Sequence, residues 1–135
     1  MATHPPLTGS APAKSKYLKV SIFFKKHPSI TDDYFHAYWA NNHVEPLLKL
    51  AKFKDKVRKY NQVHITPELK AEAKTLSMPA MEFDGVSEIW CDNIEAWREI
   101  VSDSEFRKVG AAELQHFITS PAQIMLGYDH LIIEE

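Results

Sequence analysis

His43 lies within the stretch YWANNHVEP, one helical turn after Trp39 and three residues before Pro46. A histidine titrates near neutral pH, so it can deliver or remove a proton at a reacting atom. At a helix C-terminus the macrodipole also favours its charged form. Two readings stand for it: a residue that finishes the helix, or an acid–base group that the helix brings to a pocket. Further on, Tyr60, Gln62 and His64 alternate along an expected strand, about 7 Å from one to the next. That row is a proton-transfer strip if it faces a pocket and an ordinary polar face if it meets solvent. Asp84 could orient an imidazole and raise its pKa, or, beside Gly85, serve only to turn the chain.

Tyr128 and His130 share one face of an expected last strand, and there they either contact a ligand or pair across the sheet. Phe23, Trp39 and Trp90 are core aromatics by default, and equally suit the apolar walls of a slot for a planar ligand. His36 and His43 are seven residues apart with no placed carboxylate, a poor donor set for a metal, so no metal site is expected. His27 and His116 read as surface residues, and His4 belongs to the N-terminal segment.

Several function classes fall away on composition. With Cys91 as the only cysteine, an intrachain disulfide is impossible and a cysteine-built zinc site is excluded within one chain, which favours a reducing, cytoplasmic setting. A formal charge of -2, with no basic block beyond KFKDKVRK at 52–59, argues against nucleic acid. No Gly-rich phosphate loop and no HExxH is present, so neither a nucleotide cofactor nor a metal is implied. Residues 1–15, MATHPPLTGSAPAKS, contain no continuous apolar segment and read as a flexible tail, neither signal peptide nor membrane span. Residues 16–135 then form one domain.

The elements that must position these groups follow from periodicity. YLKVSIFF at 17–24 alternates as a strand. Thr31 caps a helix whose first turn holds Asp32 and Asp33, with Ile30 set to staple onto Phe35. Pro46 should end that helix, leaving LLKLAKF as a looser segment. VRKYNQVHI at 57–65 is the second strand, PELKAEAK a short surface helix, and DGVSEIWC at 84–91 the third strand, with Asp84-Gly85 bending the chain at its start. Asn93 caps IEAWREIV, and Ser102 with Glu105 forms a capping box within a helix that can break there. AQIMLGYDHLIIEE, after Pro121, reads as a last strand paired within the sheet. The order is βαββαβ, a ferredoxin-like antiparallel α+β sheet with helices on one face. Val20, Phe23, Val86, Trp90 and Ile124 offer apolar surface between the two sides, and an uncovered apolar face predicts a C2 homodimer.

KVSIFFKKHPSITDDYFHAYWANNHVEPLL, the Trp39/His43 pair, the strand-helix-strand unit from Asp84 onward and the block Ser102-Asp103-Ser104-Glu105-Phe106 together resemble the EthD-domain family of dimeric α+β barrels. The chain looks most like the small fungal members that decarboxylate anthrone carboxylic acids or dehydrate a cyclic hemiketal in aromatic polyketide biosynthesis. One departure is Val44-Glu45-Pro46, where the family commonly has Gly-Pro or Ala-Pro. The resemblance implies a sheet-lined pocket in each protomer, no cofactor, and a lyase acting on an aromatic polyketide. On that reading His43 is the principal acid–base group, His64 or Tyr60 the second, and Asp84 the orienter. The competing readings are a non-catalytic dimer that binds aromatic ligands and a cofactor-free oxygenase or cyclase on the same barrel.

Overall fold

A computed structural model describes residues 3–135. Strand β1 (Leu18–Lys26) alternates as its sequence implies, with Leu18, Val20 and Phe24 buried. Thr31 then caps helix α1 (Asp32–Ala37), its hydroxyl accepting from the Tyr34 N–H at 3.1 Å, while Ile30 packs on the cluster around Phe35. The helix does not stop at Pro46. It runs through a π-helical segment (Tyr38–His43) into α2 (Val44–Leu48), which contains the proline. A proline inside a helix lacks one donor and presses on the carbonyl four residues back, here that of Asn42; the widened π turns lie at that carbonyl. His43 therefore sits in mid-run rather than at a helix end, and the macrodipole argument for its charge lapses. LLKLAKF is likewise more ordered than expected, since α3 (Ala51–Lys56) buries Phe53.

Strand β2 (Val57–His64) shifts register between Val57 and Lys59. The irregularity lets both Val57 and Tyr60 pack on the core, while Arg58 turns out to meet Asp92 at 3.0 Å. Helix α4 (Pro67–Ala73) is capped by Thr66 and buries nothing, as its lack of an apolar stripe implied.

The chain bends at Asp84, as expected, just before β3 (Gly85–Cys91). Asp84 is nonetheless tied into the sheet, its N–H donating to Phe24 O and its carbonyl accepting from Ile65 N–H, each at 3.0 Å. Glycine is required here for closeness: a Cβ at Gly85 would lie 2.8 Å from the Trp39 ring and 2.9 Å from the Phe24 ring.

Asn93 caps α5 (Ile94–Ser102), accepting from the Ala96 N–H at 2.9 Å. The chain breaks at Asp103, whose extended backbone ends α5. Its carboxylate accepts from the Phe106 N–H at 3.0 Å. Asp103, and not Ser102, is thus the cap of α6 (Ser104–Phe117). Strand β4 (Ile118–Gly127) begins before Pro121, and Tyr128, Asp129 and His130 lie beyond its end. Its pairing with β1 slips between Phe23 and Lys25, opposite Pro121, and an edge strand tolerates a proline at such an irregularity. The apolar run is not enclosed on both sides: Ile124, Met125 and Leu126 are exposed.

The strands order as β2-β3-β1-β4, all antiparallel, which is the ferredoxin-like α+β sheet. Leu18, Val20, Ile22 and Phe24 of β1, with Ile89 and Cys91 of β3, face the helices and make the core with Phe35, Trp39, Phe53, Trp97 and Phe117. Val20 and Ile124 lie on this side, and Phe23, Val86 and Trp90 on the other. The opposite face is more polar than expected. Lys19 pairs with Glu88 at 2.8 Å, Asn61 donates to Glu88 at 2.8 Å, and both Lys19 and Lys59 lie over the Trp90 ring. Phe23 packs there on Phe83.

Two glycine substitutions separate these effects. Gly85→Ala should destabilise by about 1–3 kcal/mol, because the added methyl overpacks Trp39 and Phe24. Gly110→Ala, in α6 with nothing near its Cβ position, should stabilise by up to about 1 kcal/mol. Urea unfolding monitored by tryptophan fluorescence checks both.

Candidate functional site

A cavity of about 220 Å³ lies between the sheet and the helices of a single protomer. Its walls are apolar: Ile22 and Phe24 from β1, Phe53 from α3, Trp97 from α5 and Phe117 from α6. Val101 and Gly110 line it where α5 and α6 come together, and Val101 is exposed. The polar groups in the lining are His43, Tyr60, Ser87 and the Trp39 indole. The chain's own helices cover this cavity, and the small Ser87 on the facing side of β3 leaves room beneath them.

His43 is buried, at 8% exposure, with its ring 5.1 Å from that of Phe117. The π-helical turns bring Trp39 and His43 to one cavity, so the pair that the sequence placed one turn apart does share a site. Tyr60 reaches the same cavity from β2. Burial pushes its phenol above the ordinary tyrosine range, although hydrogen bonding with Gln62, Ser87 and Trp39 opposes the shift. Tyr60 is therefore a hydrogen donor at neutral pH rather than a base.

His64 does not line the cavity but connects to it. Its Nε2 lies 2.8 Å from Gln62 Oε1, and Gln62 Nε2 donates to the Tyr60 hydroxyl at 3.1 Å and to the Trp39 carbonyl at 3.0 Å. On its other side His64 Nδ1 meets His36 Nδ1 at 2.7 Å. Burial, then the neighbouring His36, holds the His64 pKa below the ordinary histidine range. The row Tyr60, Gln62, His64 thus points toward the helices, which the sequence left open. His36, read from sequence as a surface or core residue, is the partner that reading missed, since nothing local announces a contact 28 residues away.

The remaining candidates stand elsewhere. Asp84 is buried, but its carboxylate is bound by Lys70 and by the Lys26 N–H, and neither imidazole is among its partners. It is a structural anion for α4 rather than an orienter. Phe23 and Trp90 are on the opposite face of the sheet, where the Trp90 indole donates to Asp129 at 2.8 Å. Tyr128 and His130 are exposed beyond β4. Geometry removes all five from the cavity. Among the described residues no group of three His, Cys, Asp or Glu could hold a metal, and no helix is long and apolar enough to cross a membrane.

A family model described as the EthD domain matches residues 27–121. No curated protein matches the chain by sequence. Among solved structures, it is similar to an EthD family protein from Bacillus halodurans, at 14% identity and a TM-score of 0.58, covering 84% of this chain and 99% of that one. A dimeric ferredoxin-like protein of unknown function from Bacteroides fragilis is similar at 13% identity and 0.59, covering 87% and 100%. SnoaB, a cofactor-independent oxygenase from Streptomyces nogalater, is similar at 11% and 0.52, covering 88% and 100%. At such identities the likeness shows the fold.

The depressed pKa of His64 fixes the sign of a pH effect. The unfolded chain, with its histidine near 6.5, binds the proton more readily than the folded one. This contribution to stability is full above about pH 6.5 and declines as the pH falls toward the folded-state value. Thermal midpoints should drop between pH 7.5 and 5.5, and His64→Gln should flatten that slope; scanning calorimetry across the range tests it.

Proposed function

The chain belongs to the EthD domain family, and on that premise we propose that it is a cofactor-independent lyase of aromatic polyketide biosynthesis. It would remove carbon dioxide from an anthrone-type carboxylic acid, or water from a cyclic polyketide hemiketal. The observation that carries the reading is one buried imidazole, His43, in an apolar cavity whose other titratable lining group is Tyr60. A cavity of about 220 Å³ exceeds the roughly 150 Å³ apolar void that admits benzene. It suits the reacting ring of a planar substrate, the remainder extending past Val101.

Decarboxylation of such an acid asks for little beyond proton management. When the C–C bond to the carboxylate breaks, its electron pair must be accepted by the adjacent carbonyl or captured as a C–H bond. His43 in its charged form supplies the proton to the ring carbon, and Tyr60 donates a hydrogen bond to the carbonyl oxygen. Dehydration uses the same groups in another order: neutral His43 removes the acidic proton α to a carbonyl, and its conjugate acid protonates the departing hydroxyl. A positioned acid or base contributes about 10²–10⁴ in rate. The apolar walls exclude water and strengthen each of these hydrogen bonds.

The fold neighbours described as dimeric support assembly as a homodimer, and the lone buried thiol of Cys91 suits a cytoplasmic setting. Each protomer would carry its own cavity, so the dimer would hold two independent sites.

Purified protein incubated with an anthrone carboxylic acid, and separately with a hydroxylated pyranone hemiketal, should release carbon dioxide or water from one of them, read by mass spectrometry. His43→Ala should lower that rate at least about 10²-fold while the fold persists. Full activity in the variant would remove His43 from the mechanism. Tight binding without conversion would make the protein a carrier, and oxygen consumption would make it an oxygenase.

A further inference from the structure

Gly110 stands well inside α6 (Ser104–Phe117), where glycine is a worse helix former than any residue but proline. Two conditions ordinarily compel a glycine: a positive φ, or a neighbour too close for a Cβ. Neither holds at Gly110. No glycine among the described residues has a positive φ, and no atom lies within 4 Å of the place that a Gly110 Cβ would take. Gly85, by contrast, is compelled by the rings of Trp39 and Phe24. The space in front of Gly110 is open, and it belongs to the cavity, because Gly110 is part of the cavity wall.

The neighbours of this gap show where it leads. Phe106, Gly110 and Phe117 all line the cavity from α6, and residues four and seven apart share one helix face. A side chain is thus omitted between two phenylalanines. Helix α6 passes directly into β4 at the buried Phe117–Ile118 step, and from the strand the small, exposed Ala122 also lines the cavity. Beyond it Ile124, paired with Ile22 on the helix-facing side of the sheet, is 57% exposed. On α5, Val101 lines the cavity and is exposed as well. Trp39, His43 and Phe53, at the other end, are buried. Exposure therefore rises from the His43 end toward Gly110, Val101 and Ala122, which mark the mouth.

We propose that Gly110 is a specificity-determining residue, whose absent side chain keeps the mouth wide enough for a fused polycyclic ligand to lie partly in the cavity and partly across β4. One ring fills the buried end beside His43. The outer rings pass over Gly110 toward Ala122 and Ile124. With Gly110, Val101, Ala122 and Ile124 around it, the mouth is apolar, so the part of the ligand that it holds is a flat ring system rather than a sugar, a phosphate or a peptide. A single ring needs no such opening, since it fits within the enclosed end. The glycine is then kept at the expense of helix stability, as happens where a binding site needs the space. This rests on the reading of the cavity as the substrate site and adds the shape of the ligand, but it concerns equilibrium binding and is tested without turnover.

The probes are 1,8-dihydroxyanthraquinone, with three fused rings, and 4-ethylphenol, with one, each titrated calorimetrically into the intact protein. Gly110→Leu should weaken the anthraquinone at least about tenfold and leave 4-ethylphenol within about twofold, the scale on which a hydrophobic pocket rejects what it cannot accommodate. Gly110→Ala should discriminate in the same direction by about threefold, with a thermal midpoint at or above the parent's, and it carries the test if the leucine variant does not fold. Val101→Ala, which widens the mouth, should bind the anthraquinone at least as tightly as the parent. Equal weakening of both ligands, undiminished anthraquinone binding in the Gly110 variants, weaker anthraquinone binding in Val101→Ala, or failure of either probe to bind the parent protein would overturn the proposal. Ring discrimination that changes as stated while His43→Ala stays fully active keeps the Gly110 mouth and removes the histidine mechanism. An inactive His43→Ala beside Gly110 variants that do not discriminate keeps the mechanism and removes the mouth.

Discussion

The approach of Trp39 to the backbone at Gly85 is the constraint on which helix, sheet and cavity all depend. The indole sits where any side chain on β3 would stand, and this lets the helical run Asp32–Leu48 lie close on the sheet. Phe24 and Phe35 brace the ring, Phe24 edge-on with a centroid separation of 4.8 Å. Once the ring is fixed, its two polar ends are fixed too. The carbonyl of the same residue orders the Gln62 amide, and the buried indole nitrogen is held beside the Tyr60 hydroxyl. One residue thus joins core packing to the polarity of the site.

The cavity gains its character from what is kept out of it. Lys70 and the Lys26 amide occupy the Asp84 carboxylate, and Asp129 is drawn to Trp90 and Lys19 on the opposite side of the sheet. With the carboxylates committed elsewhere, the polar side chains in the cavity lining are an imidazole, a phenol and a hydroxyl, with the Trp39 indole beside them. In a wall of aliphatic and aromatic side chains these interact more strongly than in water, because the surrounding dielectric is low.

The other face of the sheet has a different part to play. It is not a bare apolar surface. A Lys19–Glu88 pair, an Asn61 hydrogen bond and two lysines over Trp90 lie among apolar residues such as Phe23 and Val63. Such a mixed surface fits interfaces, which combine apolar contact with satisfied polar pairs. Exposed Met125 on β4, opposite Ser21, extends it. The catalytic reading does not depend on this face, since the site closes within one protomer.

Local chemistry in the sequence determined the element order, the Thr31 and Asn93 caps, the alternation of β1 and the grouping of Tyr60, Gln62 and His64 on one strand face. Each rests on residues within a few positions of one another. The Trp39 and His43 pairing was legible for the same reason. Pro46 misled because a π turn can absorb a proline, and Ser102 misled because Asp103 offers a competing cap one residue later. What only the tertiary structure decided was direction and partnership: that the Tyr60 row faces inward, that His36 meets His64, that Asp84 belongs to Lys70, and that Phe23 and Trp90 lie on the wrong side. These depend on which face of the sheet the helices cover and on contacts between segments far apart in the chain, where alternation gives two equivalent faces and no local rule chooses between them.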